Sequence, residues 1–230
     1  MGLVKGLDAI SQLVDKSNRD KGEDGPRARW FKLDDGQSAK IRFLQEFDEN
    51  SSSYNPEKGS VLVAIEHSAP GDFKTKALCT ADEGKCYACE MNRKDNALPK
   101  EERTNSWYGK TSLYANVLVT PANDDPFVAI LRQGIGPKSI TPTLIEISNE
   151  YGGITENQFR VKRNGGGFNN TSYSLVVLPN KDDDDVSHYE LYDLEAICTR
   201  SIPYEDQPEF YGMKKDEDED SPEDTTDIAW

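Results

Sequence analysis

Nowhere in the 230 residues do about eighteen apolar residues follow one another, so no segment is read as a membrane-spanning helix. Histidine is scarce, with only His67 and His188. No Ser-His-Asp candidate emerges, and no carboxylate pair lies in an apolar setting. The common hydrolytic and acid–base enzyme classes therefore lack their residues. Gly134-Ile-Gly136 and Gly165-Gly-Gly167 lack the spacing of a dinucleotide fingerprint and the Lys-Ser/Thr of a phosphate loop. The first residues contain no long apolar stretch or cleavage site of a secretory leader. Four cysteines then suit a reducing cytosol. Apolar residues make up only 35% against 30% charged, a balance that leaves part of the chain unpacked.

Net charge is −15, which would exclude a nucleic-acid partner if it were spread evenly. It is not. Residues 205–230 carry eleven acidic residues against two lysines, and Asp182–Asp185 form a second block. What remains is close to neutral and can carry a basic face.

His67, Cys79, Cys86 and Cys89 stand out among what is present. One imidazole and three thiols within 23 residues, ending in a CxxC knuckle, match a Cys3His structural zinc site. The alternatives are a redox CxxC, a disulfide pair or unrelated thiols. Four protein ligands leave no position for a catalytic water, so the metal would hold structure. A deaminase would need Glu two residues after the histidine, and Ala69 stands there. Cys198, in an apolar Ala-Ile-Cys run, reads as a buried small hydrophobe.

In chain order, Leu3, Leu7, Ile10 and Val14 have helical spacing, and 17–28 reads as a linker. That helix would pack on a neighbouring copy or dock on its own domain. Trp30–Leu33 and Ala39–Leu44 read as a hairpin around Asp34-Asp35-Gly36. Val61–His67 is the next strand, 68–88 a metal-ordered loop, and Cys89–Glu102 a helix. Ser106–Val119 is the longest strand pattern, and Phe127–Gln133 completes its hairpin. Pro137–Tyr151 contains a helix whose true start falls near Pro142. Phe159–Arg163 and Tyr173–Leu178 are strands, and Tyr189–Cys198 is a short strand or helix. The count predicts a mainly β fold, a five-stranded Greek-key barrel of the OB type over 29–204 with a zinc insertion at about 67–103. A zinc ribbon on an unrelated small β domain is the other architecture. Residues 205–230 are expected to be disordered.

Basic and aromatic residues interleave in three places: Arg27, Arg29, Trp30 and Lys32; Arg103, Trp107, Tyr108, Lys110 and Tyr114; Arg160, Lys162, Arg163 and Phe168. Flat rings stack on unpaired bases, and neighbouring cations neutralise phosphates. The competing reading puts Trp30, Trp107 and Tyr114 in a barrel core. His188 reads as a surface residue. The acidic tail ends in Asp227-Ile228-Ala-Trp230, whose apolar residues and carboxylate suit a partner pocket with a basic rim. It could also cover the basic groove until DNA displaces it.

Four stretches, in this order, resemble the zinc-containing helix-destabilising single-stranded-DNA-binding proteins of tailed bacteriophages. They are Lys32-Leu-Asp-Asp-Gly-Gln-Ser-Ala-Lys-Ile-Arg-Phe-Leu44, the His67/Cys79/Cys86/Cys89 set, Lys110-Thr-Ser-Leu-Tyr-Ala-Asn-Val-Leu-Val119, and Arg160-Val-Lys-Arg-Asn-Gly-Gly-Gly-Phe168. The resemblance implies an OB core, a structural zinc subdomain, and DNA held between them in a cationic, aromatic-lined cleft. It implies a non-enzymatic role in phage replication, recombination and repair, in the cytoplasm of an infected bacterial host. Replication and recombination proteins would be recruited through the tail. The matching contact positions are Lys110, Tyr114 and Phe168, with Arg160 and Lys162 nearby. The chain departs by lacking a strongly basic N-terminal cluster, by having Leu113 where an aromatic is expected, and by ending in a lone tryptophan. The competing functional class is a zinc-containing adaptor or DNA mimic that acts through its acidic surface. Steep loss of DNA affinity with salt would separate the two.

Overall fold

The computed structural model describes residues 28–104, 106–167, 170–178 and 185–212. The expected N-terminal helix, nearly all of the linker, Phe168 and the tail end with Asp227, Ile228 and Trp230 lie outside them.

The fold is mainly β, one antiparallel seven-stranded sheet with a few short helices. Its strands are β1 (Ser38–Phe43), β2 (Leu62–Ala69), β3 (Asp72–Leu78), β4 (Lys110–Thr120), β5 (Phe127–Gly134), β6 (Gln158–Asn164) and β7 (Ser172–Leu178). Their order is β3-β2-β4-β1-β6-β7, with β5 on the other edge of β4. β4 organises the sheet because both of its edges are used. β5 pairs along Ser112–Val119, while β2 takes the first half of the opposite edge and β1 the second. Among the described residues no ladder joins β5 to β7, so the sheet stays open. No described helix is long and apolar enough to cross a membrane.

Period-two alternation divides the sheet into two faces. Ile41, Phe43, Leu113, Ala115, Val117, Val119, Ala129, Leu131, Phe159 and Val161 line the main core. Helix α2 (Thr141–Tyr151) covers that core with Leu144 and Ile147. The pyrrolidine ring of Pro142 suits its first turn, and Gly152 at φ 79° closes it in the left-handed region. On the opposite face, Tyr114 and Ile130 are sealed by Leu194 and Cys198 of α3 (Leu194–Cys198), capped by the Asp193 carboxylate.

Three expectations are corrected here. Residues 30–33 are not the first arm of a hairpin. Trp30 bridges Ile130 in parallel, and Phe31 N donates to Ile130 O, so the segment lies along β5. Residues 72–78, read as loop, form β3, because Gly71 at φ 77° turns the chain back onto β2. The expected disorder from 205 onward fails for 205–212. Tyr204–Asp206 form a 3-10 turn, Gln207–Phe210 form α4, and Gln207 and Tyr211 are buried.

One buried charge network ties β2, β3, β4 and β5 together. The Glu66 carboxylate, 2% exposed, accepts from Lys76 Nζ at 2.9 Å and from Tyr114 Oη at 2.6 Å. Arg132 lies 3.5 Å away. Burial and Glu66 push the Tyr114 hydroxyl pKa upward, so it stays a donor. Glu66→Gln removes the shared counter-charge of two cations. Both cations are partly exposed, so we expect a loss of about 1–3 kcal/mol in urea unfolding, and an unchanged midpoint would contradict this.

Candidate metal centre and cationic sheet face

The β2–β3 hairpin delivers His67 on β2 and Cys79 just after β3, where Cys79 N donates to Ile65 O and extends the ladder. Cys86 precedes α1 (Tyr87–Ala97) in extended conformation, and Cys89 lies in its first turn. Thr80 Oγ1 donates to Lys85 O and closes the loop between the two pairs of ligands. The four ligand atoms fall within 4.8 Å of one another, and His67 and Cys86 are buried.

His67 Nδ1 lies 2.9 Å from Trp107 O, a contact only an Nδ1–H donor can make. Nε2 is then left as the ligand atom, 3.3 Å from Cys89 Sγ. Gly109 allows this approach. A Cβ there would meet Ile65 Cγ2 at 3.1 Å and His67 Cε1 at 3.3 Å. Burial lowers the His67 pKa and keeps the imidazole neutral. Burial and then Cys79 and Cys86 push the Cys89 thiol up to about 12. Burial would also raise Cys86, but backbone hydrogen bonds from Cys89 and Thr80 outweigh it and leave that thiol lowered. A divalent cation at the centre offsets the cost of thiolate charge, and the N/S donor set fits a borderline-soft ion with four ligands. The group can hold a metal ion as sequence spacing indicates.

An outer layer that sequence reading missed comes from the C-terminal segment. Gln207, 1% exposed, accepts from Tyr87 N at 2.9 Å and donates to Thr80 Oγ1 and Ile202 O, each at 2.9 Å. It thus braces the knuckle on both sides. Tyr211 packs edge-on against Trp107, with ring centroids 5.5 Å apart at 85°. The Tyr204 hydroxyl donates to Glu90 on α1. The detectable signal was Phe210-Tyr211, an aromatic pair at the head of an acidic run.

The second feature is a cationic face. Lys40 and Arg42 on β1 and Arg160 and Lys162 on β6 occupy same-side positions, with Lys40 directly opposite Arg160 and Ser38 opposite Lys162. Like charges directly opposed on neighbouring strands repel. None of Lys40, Arg160 and Lys162 carries an ion pair among the described residues. Arg42 Nε donates to Thr155 O, and burial together with the Arg42 charge lowers the pKa of Lys58. Sequence reading named Arg160 and Lys162 but not Lys40 or Arg42, although their period of two was legible.

The remaining expected contacts scatter. Tyr108 and Lys110 are exposed, as is Arg29, whose guanidinium sits 4.9 Å over the Phe127 ring. Trp30 is 40% exposed and packs in a T-shaped arrangement with Tyr114. Trp107 and Tyr114 are corrected as stacking platforms. Trp107 is in the metal lobe's core, and Tyr114 is fully buried with its hydroxyl committed to Glu66. Arg163 faces the core side, where its guanidinium braces Leu33 O. Arg103 Nε donates to Leu98 O behind α1. An apolar groove of about 580 Å³ between β2, α2 and the 47–52 loop exposes Val63, Ile135 and Ile145 but has no cation in its lining.

Gln207→Leu takes the acceptor from the Tyr87 amide and the donor from the Ile202 carbonyl, while Thr80 Oγ1 keeps its bond to Lys85 O. It should lower unfolding free energy by about 1–3 kcal/mol and speed chelator-driven metal loss. Metal retention and thermal melting equal to the parent protein would contradict the bracing role. Compared with protein-family models, characterised proteins and solved structures, the chain matches none.

Proposed function

We propose that this chain binds single-stranded DNA without sequence selection, with the β1–β6 face taking phosphates and a zinc-held lobe keeping the β2–β3 hairpin ordered. The observation that carries the reading is the directly opposed pair Lys40 and Arg160, with Lys162 and Arg42 at the next same-side positions, and Lys40, Arg160 and Lys162 have no ion pair among the described residues. A stretch of like charge costs stability in the free protein, and a polyanion relieves it. Exposed Trp30 and Tyr108 remain available to stack on bases.

Strand connectivity supports an OB-type core. With the β2–β3 hairpin and the metal lobe set aside, β1, β4 and β5 form a meander, α2 crosses over, and β6–β7 return to pair with β1. This is a five-stranded Greek-key pattern with the metal lobe inserted between its first two strands. Tyr173 N donating to Lys138 O brings the start of β7 toward the end of β5, where a barrel would close. Three thiolates and an imidazole favour zinc, which needs no open coordination position to act structurally.

The reading extends to replication, recombination and repair in an infected bacterial cell, with Asp227, Ile228 and Trp230 reaching partner proteins. An adaptor acting through acid is the second reading. It is favoured by the firm anchoring of the acidic segment's root on the metal lobe.

Titrating the protein with poly-dT separates them. A DNA binder loses affinity linearly on a logarithmic salt scale, and Lys40→Gln or Lys162→Gln should each reduce the slope by about 1. An adaptor binds no DNA even at low salt, and that result would sink the proposal. Deleting 213–230 while keeping the folded 205–212 should tighten binding at low salt, since a tethered polyanion competes for the same face. Unchanged or weaker binding would reject that competition.

A further inference from the structure

Arg42 stands directly opposite Leu118 on β4 and Gln158 on β6. All three line a cavity of about 220 Å³ whose far wall is His188 and Tyr189. Those two rings pack with centroids 4.2 Å apart and a tilt of 35°. The next same-side positions along β1 and β6 are Lys40 and Arg160, about 6–7 Å away by strand rise. The cationic face therefore runs into the mouth of this cavity.

The cavity is smaller than the roughly 300–1,000 Å³ that encloses a whole small ligand. It suits one ring system delivered by a polymer held elsewhere. Its lining mixes the apolar Leu118, Pro126 and Val186 with the Gln158 amide, the Arg42 guanidinium and the His188 and Tyr189 rings, which are the groups that meet a base. Asp185, also in the lining, takes the amide of Ser187 on its carboxylate and stays anionic, so it offsets the pull of Arg42 on a phosphate.

We propose that this cavity is a nucleobase subsite: the strand's phosphates follow Lys40, Arg160 and Lys162, and one base turns in between Arg42 and the His188–Tyr189 wall. The inference rests on the single-strand-binding reading and adds where a base is held. It also gives His188 a role that sequence reading left as plain surface.

The test compares a mixed-sequence single-stranded oligonucleotide with an abasic deoxyribose-phosphate strand of equal length, using the full chain. His188→Ala, at an exposed position, and Tyr189→Leu should each weaken oligonucleotide binding roughly tenfold. Abasic binding and the salt slope should stay as in the parent protein. Equal parent affinity for the two strands would overturn the subsite and leave phosphate binding standing. So would variants that bind DNA normally, or that lose both strands alike. Binding of neither strand by the parent protein would overturn the underlying function as well. Should Tyr189→Leu unfold the chain, ultraviolet crosslinking of a 5-iodouracil oligonucleotide supplies the second readout. Adducts on His188 or Tyr189 support the subsite, and adducts confined to Trp30 or Tyr108 overturn it.

Discussion

Three thiols and an imidazole converge within 4.8 Å, and most of the molecule's second lobe depends on what joins them. The β2–β3 hairpin adds only Ala69 and Ala77 to the buried cluster of that lobe. Its cluster of Ala69, Ala77, Cys86, Ala88, Trp107 and Tyr211 is small beside the main core. A bound metal would add ligand free energy where that burial is small. The consequences run outward through named contacts. His67 fixes the Trp107 carbonyl, Trp107 receives Tyr211, and Gln207 joins Thr80 to Tyr87. The root of the acidic segment is therefore part of the metal lobe.

The other half of the molecule is shaped by β4. Both of its edges are paired and both of its faces are covered, and its residues from Ser112 to Val119 are all buried. One face closes the main core and the other closes under α3. On β1 and β6 the second face carries Lys40, Arg42, Arg160 and Lys162, of which Arg160 and Lys162 are exposed. Eleven of the 42 acidic residues, against two lysines, fall in 205–230, so the net charge of −15 is unevenly spread along the chain.

Spacing carried the metal ligands into view, since a knuckle and its histidine are local in sequence. Long periodic segments were equally legible, as in β4 and α2, where Thr141 begins the helix one residue before Pro142. β3 was missed because Asp72, Lys74, Thr75 and Lys76 make it polar, a composition that looks like loop until Gly71 folds it onto β2. Trp107 and Tyr114 were placed in a DNA cleft because an aromatic beside lysine reads the same whether it is exposed or buried. Register decides between the two. Tyr114 sits across from Leu62 and beneath α3, while Trp107 is drawn inward by the Gly109 approach to His67. The 205–212 segment was lost in the charge average of its neighbours, although Phe210 and Tyr211 were the clue.

Lysine footprinting tests the central claim most directly. The protein is lightly acetylated with and without a single-stranded oligonucleotide at low salt, and each lysine's modification is read by mass spectrometry. The account predicts that the oligonucleotide protects Lys40 and Lys162 while Lys94 on α1 stays reactive, and that added salt removes the protection. Reactivity of Lys40 and Lys162 unchanged by saturating oligonucleotide would contradict it.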